Sequence, residues 1–123
     1  MALKTAIIGV GPVGDRIYSC LKERNFPVAG APIVMATRAR TETLGGEEVA
    51  VHEVSAELFD GVQVAFFAGR EGAKGASQQL GWPAVERGVI VIDNGDDFRM
   101  DPRVPLVIPE VNPEALAKHR GFI

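Results

Sequence analysis

Short apolar runs alternate along this chain with longer stretches in which apolar residues recur every three or four positions. The short runs predict strands and the periodic stretches predict helices. The runs at 62–68 and 89–92 are apolar almost throughout, which is typical of strands buried on both faces. The strands predicted in this way are 4–10, 32–37, 48–52, 62–68, 89–92 and 106–108.

The first helix is predicted at 12–24, where Pro12 suits the opening turn because no intrahelical bond needs its missing N–H. One face of this helix is apolar and is expected to be buried, with Cys20 as a small hydrophobic residue within it. That face consists of Val13, Ile17, Cys20 and Leu21. The other helical segments are predicted at 55–60, 76–87 and 112–118.

Strands that alternate with helices, with central strands apolar throughout, indicate an α/β fold. We expect a Rossmann-type, doubly wound and mainly parallel sheet of about six strands, with helices on both faces. No linker, repeat or low-complexity tract interrupts the sequence. Residues 1–123 are therefore expected to form one domain.

The most informative motif follows the first predicted strand and opens the first helix: Gly9-x-Gly11-x-x-Gly14. In this context the pattern predicts a dinucleotide-binding turn. Gly9 permits the tight turn, Gly11 lets a pyrophosphate approach the backbone, and Gly14 lets the helix pack closely. A turn that serves packing alone is the alternative.

The end of the second strand bears on the type of dinucleotide. NAD sites usually carry an acid there for the ribose 2′-hydroxyl, but this sequence has no acid between Thr37 and Glu42. It has instead a hydroxyl and two guanidinium groups, Arg38 and Arg40, which suit a 2′-phosphate. NADP is therefore favoured over NAD, unless both arginines are merely solvated loop residues.

Composition narrows the function classes. The chain is 46% hydrophobic and 24% charged, unlike a disordered tail, and its formal charge of −3 argues against nucleic-acid binding. No apolar run is long enough to span a membrane, and no signal peptide is recognised. The single cysteine excludes an internal disulfide, and no metal site is expected. We expect a cytoplasmic domain, short for a complete two-substrate enzyme.

Three stretches, at 23–27 (ERNFP), 46–49 (GEEV) and 93–112 (DNGDDFRMDPRVPLVIPEVN), resemble aspartate-β-semialdehyde dehydrogenases and their semialdehyde dehydrogenase relatives. The last stretch is the most specific, and the resemblance covers essentially the whole chain. It implies the NADP-binding domain of an enzyme that converts β-aspartyl phosphate reductively to aspartate semialdehyde and phosphate, by way of a cysteine thioester.

The resemblance also assigns residues. It implies that Arg99 grips the substrate phosphate, whereas the ordinary alternative is an ion pair of Arg99 with Asp96, Asp97 or Asp101. It places Asn94 on the nicotinamide side and Ala68-Gly69 beside the cofactor. The residues that correspond to cofactor contacts are Gly11, Pro12, Val13, Gly14, Thr37, Arg38 or Arg40, Ala68, Gly69 and Asn94.

The sequence departs from the family pattern in two places that matter below. The loop after Phe67 is about three residues longer than usual, and Gly95, Asp96 and Asp97 stand where the family tends to have serines. Two acids beside Arg99 are expected to weaken anion binding.

The catalytic cysteine and histidine that the resemblance implies are expected in a second domain, so no catalytic residue is assigned here. We expect this chain to bind NADPH without turnover and to meet the acyl phosphate only together with that domain. We also expect it to self-associate through apolar surface near the sixth predicted strand, 106–108, and the chain end. The alternatives are a stand-alone, regulatory dinucleotide-binding module, or another NAD(P)-linked oxidoreductase that shares only the first loop.

Overall fold

The structure, a computed structural model, describes residues 1–69, 72 and 75–123. Residues 70, 71, 73 and 74, within the long loop after Phe67, lie outside the described residues. In the described part six strands form one sheet, and two α-helices and two 3₁₀ helices connect them. In chain order the elements are β1 (Thr5–Ile8), α1 (Pro12–Glu23), β2 (Ile33–Ala36), β3 (Arg40–Leu44), β4 (Glu47–Glu53), a 3₁₀ helix (Ala56–Phe59), β5 (Val64–Phe67), α2 (Ala76–Glu86), β6 (Ile90–Asp93) and a 3₁₀ helix (Pro113–Lys118).

The strands lie in the order β3-β4-β2-β1-β5-β6. Every neighbouring pair is parallel except β3 and β4, which run antiparallel. In the centre of the sheet Ala6 of β1 faces Ile33 on one side and Ala65 on the other. The predicted α/β fold, with a mainly parallel sheet of six strands and helices on both faces, is confirmed.

Two of the individual strand predictions were wrong. The strand β3 was missed because its sequence, Arg-Thr-Glu-Thr-Leu, carries few apolar residues. It pairs with β4 through the two-residue turn Gly45-Gly46, whose φ angles of 55° and 80° are those of a tight hairpin turn. The predicted strand at 106–108 is absent, and Leu106 and Ile108 are half exposed.

The outer edge of β6 is paired instead by the last residues of the chain. The N–H of Val91 donates to the Gly121 carbonyl at 2.7 Å, and the N–H of Ile123 donates to the Val91 carbonyl at 2.8 Å. Phe122, between them, is fully buried against α2 at Gly81, where a Cβ would overlap its ring. This close approach fixes residues 121–123 beside the sheet.

The two faces of the sheet carry separate cores. On one face Met35 and Phe67 pack with Phe59 and Phe122, under α2 and the first 3₁₀ helix. On the other face Ile7 and Val34 pack under α1. Both layers come from the alternation of side chains along the strands, since successive residues point to opposite faces.

The apolar face of α1 was predicted incorrectly. The buried residues of the helix are Gly14, Tyr18 and Leu21, whereas Val13 is 43% exposed and Cys20 is only partly buried. The reason is that α1 packs on β1 and β3 and leaves Phe66 of β5 and Ile92 of β6 beside open space on this face. The stripe formed by Val13, Ile17 and Cys20 therefore borders an open groove.

The expectation that β6 is buried on both faces was also wrong. Its residues alternate, with Val91 buried and Ile90 and Ile92 about 40% and 36% exposed. Together with Phe66 of β5 and the stripe of α1, Ile92 lines an apolar groove of about 520 Å³. We call this surface the α1–β6 groove. No helix of the described residues is both long and apolar enough to cross a membrane.

Candidate functional site

The direction in which the sheet is wound reverses at β1, because β2 lies on one side of it and β5 on the other. In open parallel sheets, ligands bind at the carboxyl ends of the strands at such a reversal. A cleft of about 480 Å³ lies at this place, between the segments that follow β1, β2 and β5. Its walls include six of the residues selected from the sequence: Gly9, Gly11, Thr37, Arg40, Ala68 and Gly69.

The three glycines of the first turn meet three different steric conditions. Gly9 has a φ of +112°, and a Cβ there would overlap the carbonyl group of Ala68. A Cβ on Gly14 would overlap the carbonyl group of Gly9. A Cβ on Gly11, by contrast, would meet no atom within 4 Å. The turn is therefore tight at both ends and open in the middle, where it borders the cleft.

The helix that follows this turn presents unpaired amides. Gly11 is its N-cap and supplies no side-chain hydrogen bond, and Pro12 has no N–H. The amides of Val13 and Gly14 have no acceptor in a preceding helical turn. Together with the positive end of the helix dipole they favour an anionic group at the rim of the cleft. Pro12, Val13 and Gly14 lie in this first turn and do not line the cleft itself.

The two arginines after β2 differ in placement. Arg40 lines the cleft, where its Nε donates to Glu42 Oε1 at 2.7 Å and its Nη1 donates to the Arg38 carbonyl at 3.0 Å. The side chain of Arg38 is exposed and is not part of the cleft wall. Thr37 lies beside Arg40 on the wall. The geometry thus holds one guanidinium at the end of β2 and leaves the other in solvent.

Asn94 and Arg99 belong to a second cavity, of about 370 Å³, between the loop after β6 and the segment 104–108. Arg99 Nε donates to the Gly95 carbonyl at 3.1 Å, and its Nη2 donates to the Asn94 carbonyl at 3.2 Å. Within the described residues no carboxylate forms an ion pair with Arg99. The ion pair considered as the alternative is therefore not present there.

None of the three acids near Arg99 in the sequence, Asp96, Asp97 and Asp101, pairs with its side chain in the described structure. Asp97 accepts hydrogen bonds from the Gly72 N–H and from Gln78 Nε2. Asp101 pairs with Arg103 at 2.7 Å, and hydrogen bonds from the Arg103 side chain and backbone lower the pKa of Asp101 to about 2. Arg99 thus forms no ion pair with these acids, although the carboxyl group of Asp93 on the same cavity wall interacts electrostatically with it.

Asp93 is the titratable group with the most unusual surroundings near this cavity. Its Oδ1 accepts from the Ser77 hydroxyl at 3.0 Å and from the Gly95 N–H at 2.9 Å, whereas its buried Oδ2 has no hydrogen-bond partner within the described residues. Burial raises the pKa of Asp93 above its ordinary value, and the two hydrogen bonds oppose that shift. No described group of His, Cys, Asp and Glu side chains is arranged to hold a metal ion.

Sequence reasoning missed part of the cleft wall. Gly75 and Ala76, at the start of α2, and Val54, just after β4, line it as well. Gly75 offered a signal, since it precedes a helix without a side-chain cap, as Gly11 does. Val54 offered none, because only the pairing of β4 beside β2 brings it to this edge.

Comparison with known proteins agrees with this geometry. A family model described as "Semialdehyde dehydrogenase, NAD binding domain" matches residues 4–119. The aspartate-semialdehyde dehydrogenase of Bacillus subtilis is 42% identical over 124 residues, which cover 98% of this chain and 35% of that protein. That of Aquifex aeolicus is 38% identical over 131 residues and covers 100% of this chain and 37% of that protein.

A solved structure, that of aspartate semialdehyde dehydrogenase II from Vibrio cholerae, has a TM-score of 0.85 and 36% identity, over 100% of this chain and 37% of that chain. The chain spans little more than a third of the length of these relatives. The family indicated by the motif at 93–112 is thereby confirmed, and with it a nicotinamide dinucleotide as the ligand of the domain. The chain belongs to the semialdehyde dehydrogenase family, as its NAD-binding domain.

Proposed function

We propose that the chain binds NADPH in the cleft at the carboxyl ends of β1, β2 and β5. The observation that carries the proposal is the open space at Gly11 between two sterically closed glycines, in front of an uncapped helix. A pyrophosphate fits this space and accepts hydrogen bonds from the helix amides. Ala68 and Gly69 form the opposite wall.

The preference for NADPH rests on the end of β2. Arg40 is held on the cleft wall beside Thr37, and no carboxylate lines that wall to receive a ribose 2′-hydroxyl, since the neighbouring Glu42 is paired with Arg40. Arg40 keeps part of its guanidinium free while Glu42 and the Arg38 carbonyl orient the rest. Arg38 is exposed and close enough in sequence to approach the same phosphate from solvent.

Calorimetric titration with NADPH and NADH tests this function. We expect NADPH to bind more tightly, Arg40→Ala to weaken NADPH more than NADH, and Arg38→Ala to have a smaller effect. Arg24→Ala is the matched control, because Arg24 is an exposed arginine at the other end of α1. Equal losses for both dinucleotides would remove the 2′-phosphate argument, and absence of binding would refute the function.

For the whole protein we propose the reductive dephosphorylation of β-aspartyl phosphate. The named relatives are aspartate-semialdehyde dehydrogenases. In this proposal Arg99 holds the phosphate group as a cation that forms no ion pair with a described carboxylate, and Asn94 lies at the nicotinamide side. The dinucleotide, when bound, supplies hydride chemistry. In the whole protein, phosphate should perturb the Arg99 side-chain resonance, and Arg99→Ala should abolish phosphate binding.

This chain alone is proposed to bind the cofactor without turnover. Its single cysteine, Cys20, lies in α1 and lines the α1–β6 groove, not the cavity of Arg99. No thiol of this chain is therefore positioned to attack an acyl phosphate held by Arg99. Measurable semialdehyde dehydrogenase activity of the chain would refute this point. The cytoplasmic location expected from composition stays a prediction.

We also propose that the chain self-associates through the α1–β6 groove. Parallel sheets are normally covered on both faces, and this face is open over β5 and β6. The groove walls are almost entirely apolar, and such patches promote association. Light scattering should show association that Ile92→Glu suppresses and that Val111→Glu, at an exposed site away from the groove, does not. A sharp monomer at high concentration would contradict this.

A further inference from the structure

Asp97 joins the loop after β6 to a stretch of the chain that lies 19 to 25 residues earlier, at Gly72 and Gln78. Both of its carboxylate oxygens accept the N–H of Gly72, at 3.0 and 3.1 Å. Oδ1 also accepts from Gln78 Nε2, at 3.1 Å. One side chain in the loop after β6 thus holds the glycine-rich loop after β5 and the first turn of α2.

The residues joined by Asp97 lie next to the walls of the two cavities without lining either of them. Gly72 lies between Gly69 and Gly75, which line the dinucleotide cleft. Asp97 itself is two residues from Arg99, which lines the second cavity. A neighbouring link runs in parallel, since the Ser77 hydroxyl donates to Asp93 at 3.0 Å. The Asp97 carboxylate therefore links the loop that carries Arg99 to the segment between two residues of the cleft wall, Gly69 and Gly75.

The described contacts of Gly72 itself are few. Gly72 has a φ of +90°, and its carbonyl accepts from the Gly75 N–H at 2.8 Å. Among the described groups only the Asp97 carboxylate accepts the Gly72 N–H. A hydrogen bond to an ionised acceptor is about twice as strong as one between neutral groups.

The hydrogen bonds between Gly72 and Asp97 tie the loop after β6 to the segment that carries Gly69 and Gly75. We propose that Asp97 is a positioning residue, which fixes the loop at Gly72 so that Gly69 and Gly75 form the wall of the dinucleotide cleft. This inference rests on the proposed dinucleotide binding.

The connection itself can be tested without any ligand, by the amide resonance of Gly72 in the ¹⁵N-labelled chain. We expect a downfield, slowly exchanging amide proton that Asp97→Ala shifts upfield and exposes to exchange. Asp96→Asn is the matched control, since Asp96 is the adjacent acid and its side chain makes no hydrogen bond in the described structure. If Asp97→Ala leaves the chemical shift and the exchange rate of the Gly72 amide proton unchanged, the proposed connection is refuted.

The positioning role is tested by dinucleotide titration of the same variants. Asp97→Ala should weaken NADPH about tenfold, and Asp97→Asn, which keeps one acceptor oxygen, should recover about half of that loss on a logarithmic scale. Asp96→Asn should leave the affinity within about twofold. If charge alone mattered, Asp96→Asn and Asp97→Asn would both strengthen binding, and that result would overturn the role.

The outcomes separate this inference from the function on which it rests. An unchanged NADPH affinity of Asp97→Ala, with normal binding by the unsubstituted chain, overturns the positioning role alone. Absence of binding by the unsubstituted chain overturns the proposed function, while the Gly72 resonance still decides whether the connection exists.

Discussion

Two glycine-rich segments border the dinucleotide cleft, and they are held in place by different means. The turn at 9–14 is fixed by close backbone packing, because a Cβ would overlap the Ala68 carbonyl group at Gly9 and the Gly9 carbonyl group at Gly14. The loop at 69–75 meets no such steric limit at Gly72, and a side chain from another loop, Asp97, holds it. One segment is shaped by close backbone packing and the other by polar contacts from a distance.

The difference determines how each segment responds to change. A sterically fixed turn tolerates no added atom at its closed positions, but it depends on backbone atoms and not on a particular side chain. A loop held by a carboxylate tolerates added atoms in open space, but it depends on one distant side chain and on the charge of that side chain. Substitutions at equivalent glycines should therefore have unequal effects in the two segments.

The largest effect is expected for Gly14→Ala. The new Cβ would overlap the backbone carbonyl of Gly9, which cannot move aside as a flexible side chain does. We expect the free energy of unfolding to fall by about 3 kcal/mol, at the upper end for overpacking. Chemical denaturation measures it. A loss below about 1 kcal/mol, within the range of ordinary substitutions, would show that the turn is not sterically fixed.

Gly11→Ala should separate binding from stability within the same turn. Its Cβ meets no protein atom within 4 Å, so the cost to folding should stay below about 1 kcal/mol. The methyl group would occupy the space proposed for the pyrophosphate. NADPH should bind about tenfold more weakly, which corresponds to about 1.4 kcal/mol. Undiminished affinity would mean that the phosphates do not approach Gly11.

Gly72→Ala is the corresponding test in the second loop. A Cβ there has open space, but the φ of +90° is unfavourable for alanine by roughly 1–2 kcal/mol. We expect a stability loss of about 1 kcal/mol, smaller than that of Gly14→Ala, and a weaker Gly72–Asp97 bond seen by amide exchange. A loss as large as that of Gly14→Ala would remove the contrast between the two segments.

The first segment could be predicted from the sequence, because a steric requirement leaves a local signature. Only glycine satisfies the closed positions 9 and 14, and their spacing after an apolar run is visible within six residues. The parallel sheet was predictable for the same reason, since burial on both faces requires continuous apolar runs such as 62–68.

The parts that could not be predicted depend on partners far along the chain. Gly72 and Asp97 are 25 residues apart, and nothing in the sequence around either residue indicates that the two are hydrogen-bonded. The buried face of α1 depends on which strands lie beneath it, and the stripe with Val13 is as apolar as the face with Tyr18. The strand β3 exists because Gly45-Gly46 turns a polar segment back onto β4.

The smallest expected effect is a pH dependence of the free energy of unfolding that comes from Asp93. This residue accepts a hydrogen bond from the Ser77 hydroxyl at the start of α2, the helix that follows the loop at 69–75. Burial raises the pKa of Asp93 above the ordinary 3.8, so the folded state binds its proton more tightly than the unfolded state. The stabilisation from this group is complete below the unfolded pKa and is lost as the pH rises through the folded pKa.

Asp93→Asn keeps an acceptor for Ser77 but cannot titrate. We therefore expect the unfolding free energy of the wild type, minus that of Asp93→Asn, to be larger at about pH 4 than at about pH 7 in urea denaturation. Asp96→Asn, at an exposed neighbouring acid, should show no such trend. A stability difference that grows with pH would mean that hydrogen bonds, rather than burial, dominate the environment of Asp93.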